Sequence, residues 1–193
     1  MRKRRAVFLD RDGTINVERD EWLARPDQLR LIRGAAGAIR RLNDAGYAVV
    51  VVTNQSGVAR GFLREEALDE IHAELRRRLA RAGAHVDAIL HCPHHPTEGR
   101  APYRRRCRCR KPAKGMLDRA VKGQGLTLRG SWIVGDAVRD LRLAEGNELT
   151  PVLVRTGKGR RSETEARERF GRDLLVVPKL EDAVEHILAR DRG

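Results

Sequence analysis

The chain has 193 residues, enough for one domain with a full-sized core. Its formal net charge of +13 favours anionic partners, yet 4% aromatic residues are too few for base-stacking platforms. No apolar run approaches the roughly 20 residues that span a bilayer, and Ala6–Leu9 is too short for a signal-peptide core, so a cytoplasmic protein without a membrane partner is expected.

Apolar runs alternate with helical patterns from end to end, which predicts an α/β chain with a doubly wound, mainly parallel sheet. The first strand is the run Val7-Phe8-Leu9, closed by Asp10. Asn16 to Arg33 is polar, punctuated by Pro26. Ala35, Ala38, Ile39 and Leu42 then repeat at helical spacing and stop before Gly46. Ala48–Val52 reads as a central strand. A helix carrying Ala67, Ile71, Leu75 and Leu79 stops at Gly83, and Ala88–Leu90 is a short strand. An irregular, Pro- and Arg-rich segment, 91–112, precedes helix Lys114–Lys122 and strand Trp132–Val134. Helix Val138–Glu145, strand Val152–Val154, a basic loop Gly157–Arg161 and a polar helix Ser162–Arg169 with few core contacts follow. Strand Leu174–Val177 and helix Leu180–Ala189 close the pattern. No repeat or linker divides it, so a single domain, 1–193, is expected.

Chemistry is concentrated at the strand ends. Asp10 and Asp12 end a buried run and are followed by Gly13. Buried carboxylates call for a cation, and Mg²⁺ suits them because it takes one or two carboxylates plus phosphate oxygens and waters. Asp10-Arg11-Asp12-Gly13-Thr14 resembles the first motif of the haloacid-dehalogenase-like phosphohydrolases. That resemblance implies a Rossmann-like fold in which Asp10 attacks phosphorus and Asp12 acts as general acid, then base. It also implies that the backbone of Asp12 faces the metal. A carboxylate is a competent nucleophile in phosphoryl transfer, and a second one can protonate the leaving alkoxide.

Three further strand ends fit. Thr53, with backbone N–H groups of Asn54 and Gln55, can hold phosphoryl oxygens. Lys111 precedes Pro112 and is therefore extended; its ammonium can neutralise nucleophile and phosphate. Asp136 would complete the Mg²⁺ site with Asp10 and Asp12. Asp140, one helical turn later, either orients Asp136 or a water, or pairs on the surface with Arg139 or Arg142.

The three cysteines lie between positions 92 and 109, which argues for a metal site rather than a disulfide framework. Cys92, Cys107 and Cys109, with either His94 or His95, match a tetrahedral structural Zn²⁺ site. This loop, together with Thr53-Asn54-Gln55-Ser56-Gly57, resembles the heptose-bisphosphate phosphatases, close to the histidinol-phosphate phosphatases. That pattern assigns the fourth ligand to His94 and leaves His91 and His95 as flanking groups. With four protein ligands the zinc has no open position, and its part is to order a polar loop. The loop carries Arg104, Arg105, Arg106, Arg108 and Arg110; Arg110, beside Lys111, is the candidate to clamp a second anionic group.

No helical cap is expected between Asp12 and Thr53 or after Ala88. The site should be open, walled by the zinc loop, by Asn16–Pro26 and by Ser56–Gly61. The expectation is a monomeric Mg²⁺-dependent phosphatase acting on the C7 phosphate of a heptose 1,7-bisphosphate in nucleotide-activated heptose synthesis for surface glycan. Histidinol phosphate is the first rival substrate, although the arginine-rich loop favours a second phosphate. A 3′-phosphorylated polynucleotide is the second, with the zinc loop and low aromatic content against it.

Overall fold

The first strand decides the layering. In β1 (Arg4–Leu9), Val7 and Leu9 face one side of the sheet, Ala6 and Phe8 the other, and all four are buried. A strand buried on both faces belongs inside a parallel sheet covered by helices. The computed structural model, which describes residues 3–19, 21–172 and 174–191, has that architecture. With β2 (Ala48–Asn54), β3 (Ala88–Cys92), β4 (Leu126–Gly135), β5 (Leu149–Val154) and β6 (Leu175–Val177), the order is β3-β2-β1-β4-β5-β6. Every pairing is parallel.

One face carries α1 (Ala35–Asp44), α2 (Glu65–Arg81) and α6 (Leu180–Arg190), packed through Ile39, Leu42, Ile71, Leu75, Val184 and Ile187. The other carries α3 (Gly115–Gln124), packed through Met116, Leu117 and Ala120. Each fully buried Leu or Ile contributes about 1.5–3 kcal/mol of transfer free energy, so these stripes hold the layers together. Chain order places β2 and β4 on opposite sides of β1. Connections therefore leave in opposite directions there, and a crevice opens at the carboxyl end of β1. Among the described residues no helical domain interrupts β1–β2 or follows β3, and no helix is long and apolar enough to cross a membrane.

Several expected boundaries move. The strand expected at Trp132–Val134 begins at Leu126; Gly130 at φ 71 interrupts it, and its register against β1 shifts between Arg5 and Val7. β3 runs on to Cys92, so the first cysteine sits on a strand end. The helix expected over Val138–Glu145 is only α4 (Val138–Leu141), followed by a 3₁₀ turn, Arg142–Ala144. It stops because the chain reverses there: Gly146 takes φ 66, and Asn147 Nδ2 donates to the carbonyls of Leu143 and Glu145. The basic loop is largely helix. α5 spans Gly159–Phe170 and buries Ala166 against Leu141, Leu153 and Leu174. A Cβ at Gly159 would collide with the Val154 carbonyl; glycine is what lets the helix start against the end of β5.

Candidate active site

Asp10 leaves β1 into the crevice and is almost fully buried, as are Thr53, Lys111, Asp136 and Asp140. Lys111 organises the floor. Its Nζ donates to Asp10 Oδ1 at 2.6 Å and to the Val52 carbonyl at 2.7 Å, and it lies 2.7 Å from Asp140 Oδ1. Asn54 fixes the lysine's backbone on both sides: Oδ1 accepts the Lys111 N–H at 3.0 Å and Nδ2 donates to its carbonyl at 3.2 Å. The side chain of Asn54 is thus spent on positioning Lys111.

Asp12 departs from expectation. Its carboxylate is outside the acidic cluster, which consists of Asp10, Asp136 and Asp140 with ligand oxygens within 4.8 Å of one another. It faces Arg11, Asn16 and Gln55 instead, accepting Arg11 Nη2 at 2.9 Å, Asn16 Nδ2 at 2.9 Å and Gln55 Nε2 at 2.8 Å. Burial alone would raise its pKa, but these donors hold Asp12 below the usual carboxylate range. Any metal contact from Asp12 would be through its backbone. Asp140 takes the third place in the cluster. It is not a surface charge, since it is fully buried: Oδ2 accepts the Ala137 N–H at 3.1 Å while Oδ1 pairs with Lys111.

Gln55 is also corrected in part. Its backbone N–H donates to the Cys92 carbonyl at 2.8 Å and is not free for a phosphoryl oxygen. Its side chain joins Thr53 Oγ1 to Asp12, at 2.8 Å each, so the second strand end orients the two groups it was expected to assist. Arg11 and His72 carried no sequence signal. Arg11 is 1% exposed, and its Nη1 lies 3.2 Å from His72 Nε2. Burial, then the Arg11 charge, pushes His72 down to about 3, so it is a neutral acceptor that holds the guanidinium on Asp12.

The acidic cluster fits a hard divalent cation. Asp136 Oδ1 is buried with no hydrogen-bond partner, while Oδ2 accepts the Lys158 N–H at 2.7 Å. A Cβ on Gly13 (φ 82) or on Gly157 (φ 55) would collide with this carboxylate. The two glycines let both loops close over it. Burial first, then the neighbouring carboxylates, pushes Asp136 up to about 8; burial, opposed by Lys111, pushes Asp10 up to about 6. Both values lie above the ordinary carboxylate value, so the folded state without metal takes up protons that the unfolded chain releases. That stability is full below about pH 4 and is lost as pH rises through about 6 and 8. With chelator present, the melting temperature should therefore fall between pH 5.5 and pH 8.5. Added Mg²⁺ should raise it more at pH 8.5 than at pH 5.5. A Mg²⁺ effect that did not grow with pH would count against this cluster as the metal site.

The second cluster is a cage. Cys92 Sγ lies 3.5 Å from Cys107 Sγ and 3.7 Å from His94 Nδ1, Cys109 Sγ lies 3.4 Å from Cys107 Sγ, and His94 Nδ1 lies 3.3 Å from Cys109 Sγ. Tetrahedral Zn²⁺ with about 2.3 Å Zn–S bonds places its ligands roughly 3.5–3.8 Å apart; the four lie within about 0.2 Å of that spacing, so these residues could hold one. His95 is outside: its Nδ1 accepts the Glu98 N–H at 2.9 Å. His91 is also outside, its ring against that of His72. Arg104, Arg105, Arg106 and Arg108 are exposed. Arg110 is half-buried and turns inward, its Nη1 donating to the His94 carbonyl at 2.9 Å.

Over the floor lies a cleft of about 340 Å³. Its walls are the expected three: Val17–Arg19 with Glu21–Leu23, Ser56 and Arg60, and Arg110 of the cysteine loop. Arg139 and Lys158 add two cations that sequence reasoning did not place there; Lys158 pairs with Glu18. A dry carboxylate locked to a lysine, beside a hydroxyl and under a basic cleft, can perform nucleophilic displacement at phosphorus.

Fold and site together define a phosphoric monoester hydrolase of the HAD-like class. A family model described as HAD-hydrolase-like matches residues 108–183. A D-glycero-beta-D-manno-heptose-1,7-bisphosphate 7-phosphatase of Pseudomonas aeruginosa is 43% identical over 82% of this chain and 85% of its own. One from Haemophilus ducreyi is 39% identical over 95% and 98%. The crystal structure of the B. bronchiseptica D,D-heptose 1,7-bisphosphate phosphatase, complexed with magnesium and phosphate, aligns with a TM-score of 0.83 and 36% identity, covering 96% of this chain and 99% of that one. The chain belongs to the heptose-1,7-bisphosphate 7-phosphatase family.

Proposed function

We propose that the chain removes the C7 phosphate of D-glycero-β-D-manno-heptose 1,7-bisphosphate. The β anomer rests on the names of the relatives, and the sequence had left it open. The observation that carries the chemistry is Asp10, dry and bonded to Lys111 at the floor of an arginine-lined cleft. Asp10 Oδ attacks phosphorus to give an aspartyl-phosphate, Thr53 and Lys111 hold the phosphoryl oxygens, and Asp12 donates a proton to the departing alkoxide and later takes one from water. Asp12 is ionised at rest; the doubly negative phosphate beside it raises its proton affinity for the acid step. Asp10 and Asp136, with the backbone of Asp12, would hold Mg²⁺, which when bound offsets negative charge on the phosphate. Cys92, His94, Cys107 and Cys109 would hold a structural Zn²⁺ that orders the loop presenting Arg110. The enzyme would act as a monomer in the cytoplasm, on a small sugar phosphate rather than nucleic acid, in nucleotide-activated heptose synthesis for lipopolysaccharide.

The test is kcat/KM, with Mg²⁺, for both anomers of the bisphosphate, histidinol phosphate and a 3′-phosphorylated oligonucleotide. A preference of about 100-fold for the β-bisphosphate, roughly 2.7 kcal/mol of transition-state discrimination, is expected. A comparable preference for histidinol phosphate or the oligonucleotide would overturn the substrate while leaving the chemistry in place.

A further inference from the structure

Arg11 and His72 form a buried pair that the phosphoryl-transfer chemistry leaves without a part. Asp12 accepts five hydrogen bonds, and three of them come from Arg11: Nε and Nη2 reach Oδ1 at 3.2 and 3.1 Å, and Nη2 reaches Oδ2 at 2.9 Å, with Asn16 and Gln55 supplying the other two. The guanidinium therefore does most to set the plane and the aim of that carboxylate. Its own placement is decided on the far side, where Nη1 lies 3.2 Å from Nε2 of His72 on α2. Arg11 stays charged, so Nε2 can only accept, and the ring proton sits on Nδ1. His91, near the end of β3, packs against the His72 ring with centroids 5.4 Å apart.

Exposure orders the three groups. The Asp12 side chain is 29% exposed, Arg11 1% and His72 7%, and His72 stands outside the cleft lining. Any effect of His72 on the chemistry therefore passes through Arg11. A buried guanidinium is costly unless its donors are met. Without an acceptor at position 72, Nη1 is unpaired in a dry place; Arg11 turns to find a partner and carries the Asp12 carboxylate with it.

We infer that His72 is a positioning residue for the acid–base steps: from α2 it fixes the Arg11 guanidinium, and through it the direction in which Asp12 gives a proton to the leaving alkoxide and takes one from water. This rests on the acid–base role of Asp12 proposed above. A group two shells from the reacting atoms matters here because proton transfer depends on alignment, and a displacement of about 1 Å costs up to about 10²-fold in rate.

The experiment measures, in the metal-loaded enzyme, the single-turnover rate at which Asp10 is phosphorylated and the rate at which the aspartyl-phosphate is hydrolysed. Two substrates are compared: heptose 1,7-bisphosphate, whose alkoxide needs a proton to leave, and p-nitrophenyl phosphate, whose phenolate leaves without one. In His72→Leu, phosphorylation by the bisphosphate should slow about 10- to 100-fold, while phosphorylation by p-nitrophenyl phosphate should change less than about threefold. Hydrolysis of the aspartyl-phosphate needs Asp12 as base whichever substrate formed it, so that rate should fall equally for both. His72→Gln, whose Oε1 can take the place of Nε2, should recover most of both rates. If His72 only fills space beneath α2, the melting temperature will fall, the two substrates will slow together or not at all, and His72→Gln will be no better than His72→Leu; that result overturns the inference. Should His72→Leu fail to fold, His72→Met, which also lacks a strong acceptor, takes its place with the same expected ratio. Asp12→Asn separates the two levels. If it slows both substrates alike in the phosphorylation step, the acid role of Asp12 falls and this inference with it; if it discriminates between them and His72→Leu does not, the inference alone falls.

Discussion

Replacing Asp10 by asparagine is expected to lower kcat on the heptose bisphosphate by about 10⁴-fold or more, the loss typical when a nucleophile is removed from a site whose parts act as a unit. Asparagine is nearly isosteric, and Lys111 would keep Asp140 and the Val52 carbonyl as partners. The fold should therefore survive, and equal or higher melting temperature in chelator would show it, since one of the mutually repelling buried carboxylates is gone. Acid quenching during turnover distinguishes the roles. The wild type should yield a phosphoryl group on the peptide containing Asp10. Asp12→Asn should still form it but release it slowly, and Asp10→Asn should form none. Loss of less than tenfold in Asp10→Asn, or label on another residue, would remove Asp10 from the nucleophile's place.

Lys111→Met should produce the largest change in stability. The substitution keeps volume but strands Asp10 and Asp140, both buried, without the cation that lies within 2.7 Å of each. Breaking a buried pair on one side costs about 3–5 kcal/mol. For a chain of this size that corresponds to a melting temperature lower by roughly 10 °C in chelator at neutral pH. Two reversals would identify the cause as stranded charge. Mg²⁺ should restore more melting temperature to Lys111→Met than it adds to the wild type. Asp140→Asn introduced into Lys111→Met should recover part of the loss, a coupling that a double-mutant cycle measures directly. Turnover should drop about 10²- to 10³-fold as well, the effect of removing one preorganised charge from the phosphoryl oxygens. A Lys111→Met protein melting within about 2 °C of the wild type in chelator would show that the cluster is neutralised by other means.

Local chemistry made much of this molecule legible in its sequence. Runs buried on both faces forced a parallel sheet, and their alternation with helical stripes put polar residues at one edge. Asp10, Thr53, Lys111 and Asp136 each follow or close an apolar run, and the sheet gathers them because parallel strands all end on the same side. The cysteine cage was readable for a similar reason: soft ligands in two close pairs have few other uses.

Tertiary structure alone decided the directions of side chains and the partners across the crevice. Asp12 stands two residues from Asp10, yet its carboxylate turns to Arg11, Asn16 and Gln55 because those donors surround it. Asp140 read either as a group orienting Asp136 or a water or as a helix-surface charge, and the fold buries it as the second counter-ion of Lys111. The Gln55 N–H, read as a phosphate donor, is given to Cys92, while its side chain joins Thr53 to Asp12 and the side chain of Asn54 holds Lys111. The contact of Arg11 with His72 left no mark in any local pattern. Their roles come from contacts between segments far apart in the chain, such as the 61 positions separating Arg11 from His72. Periodicity and spacing report which backbone segments form and where they end. Which donor meets which acceptor depends on how the layers pack, and packing is a property of the whole chain.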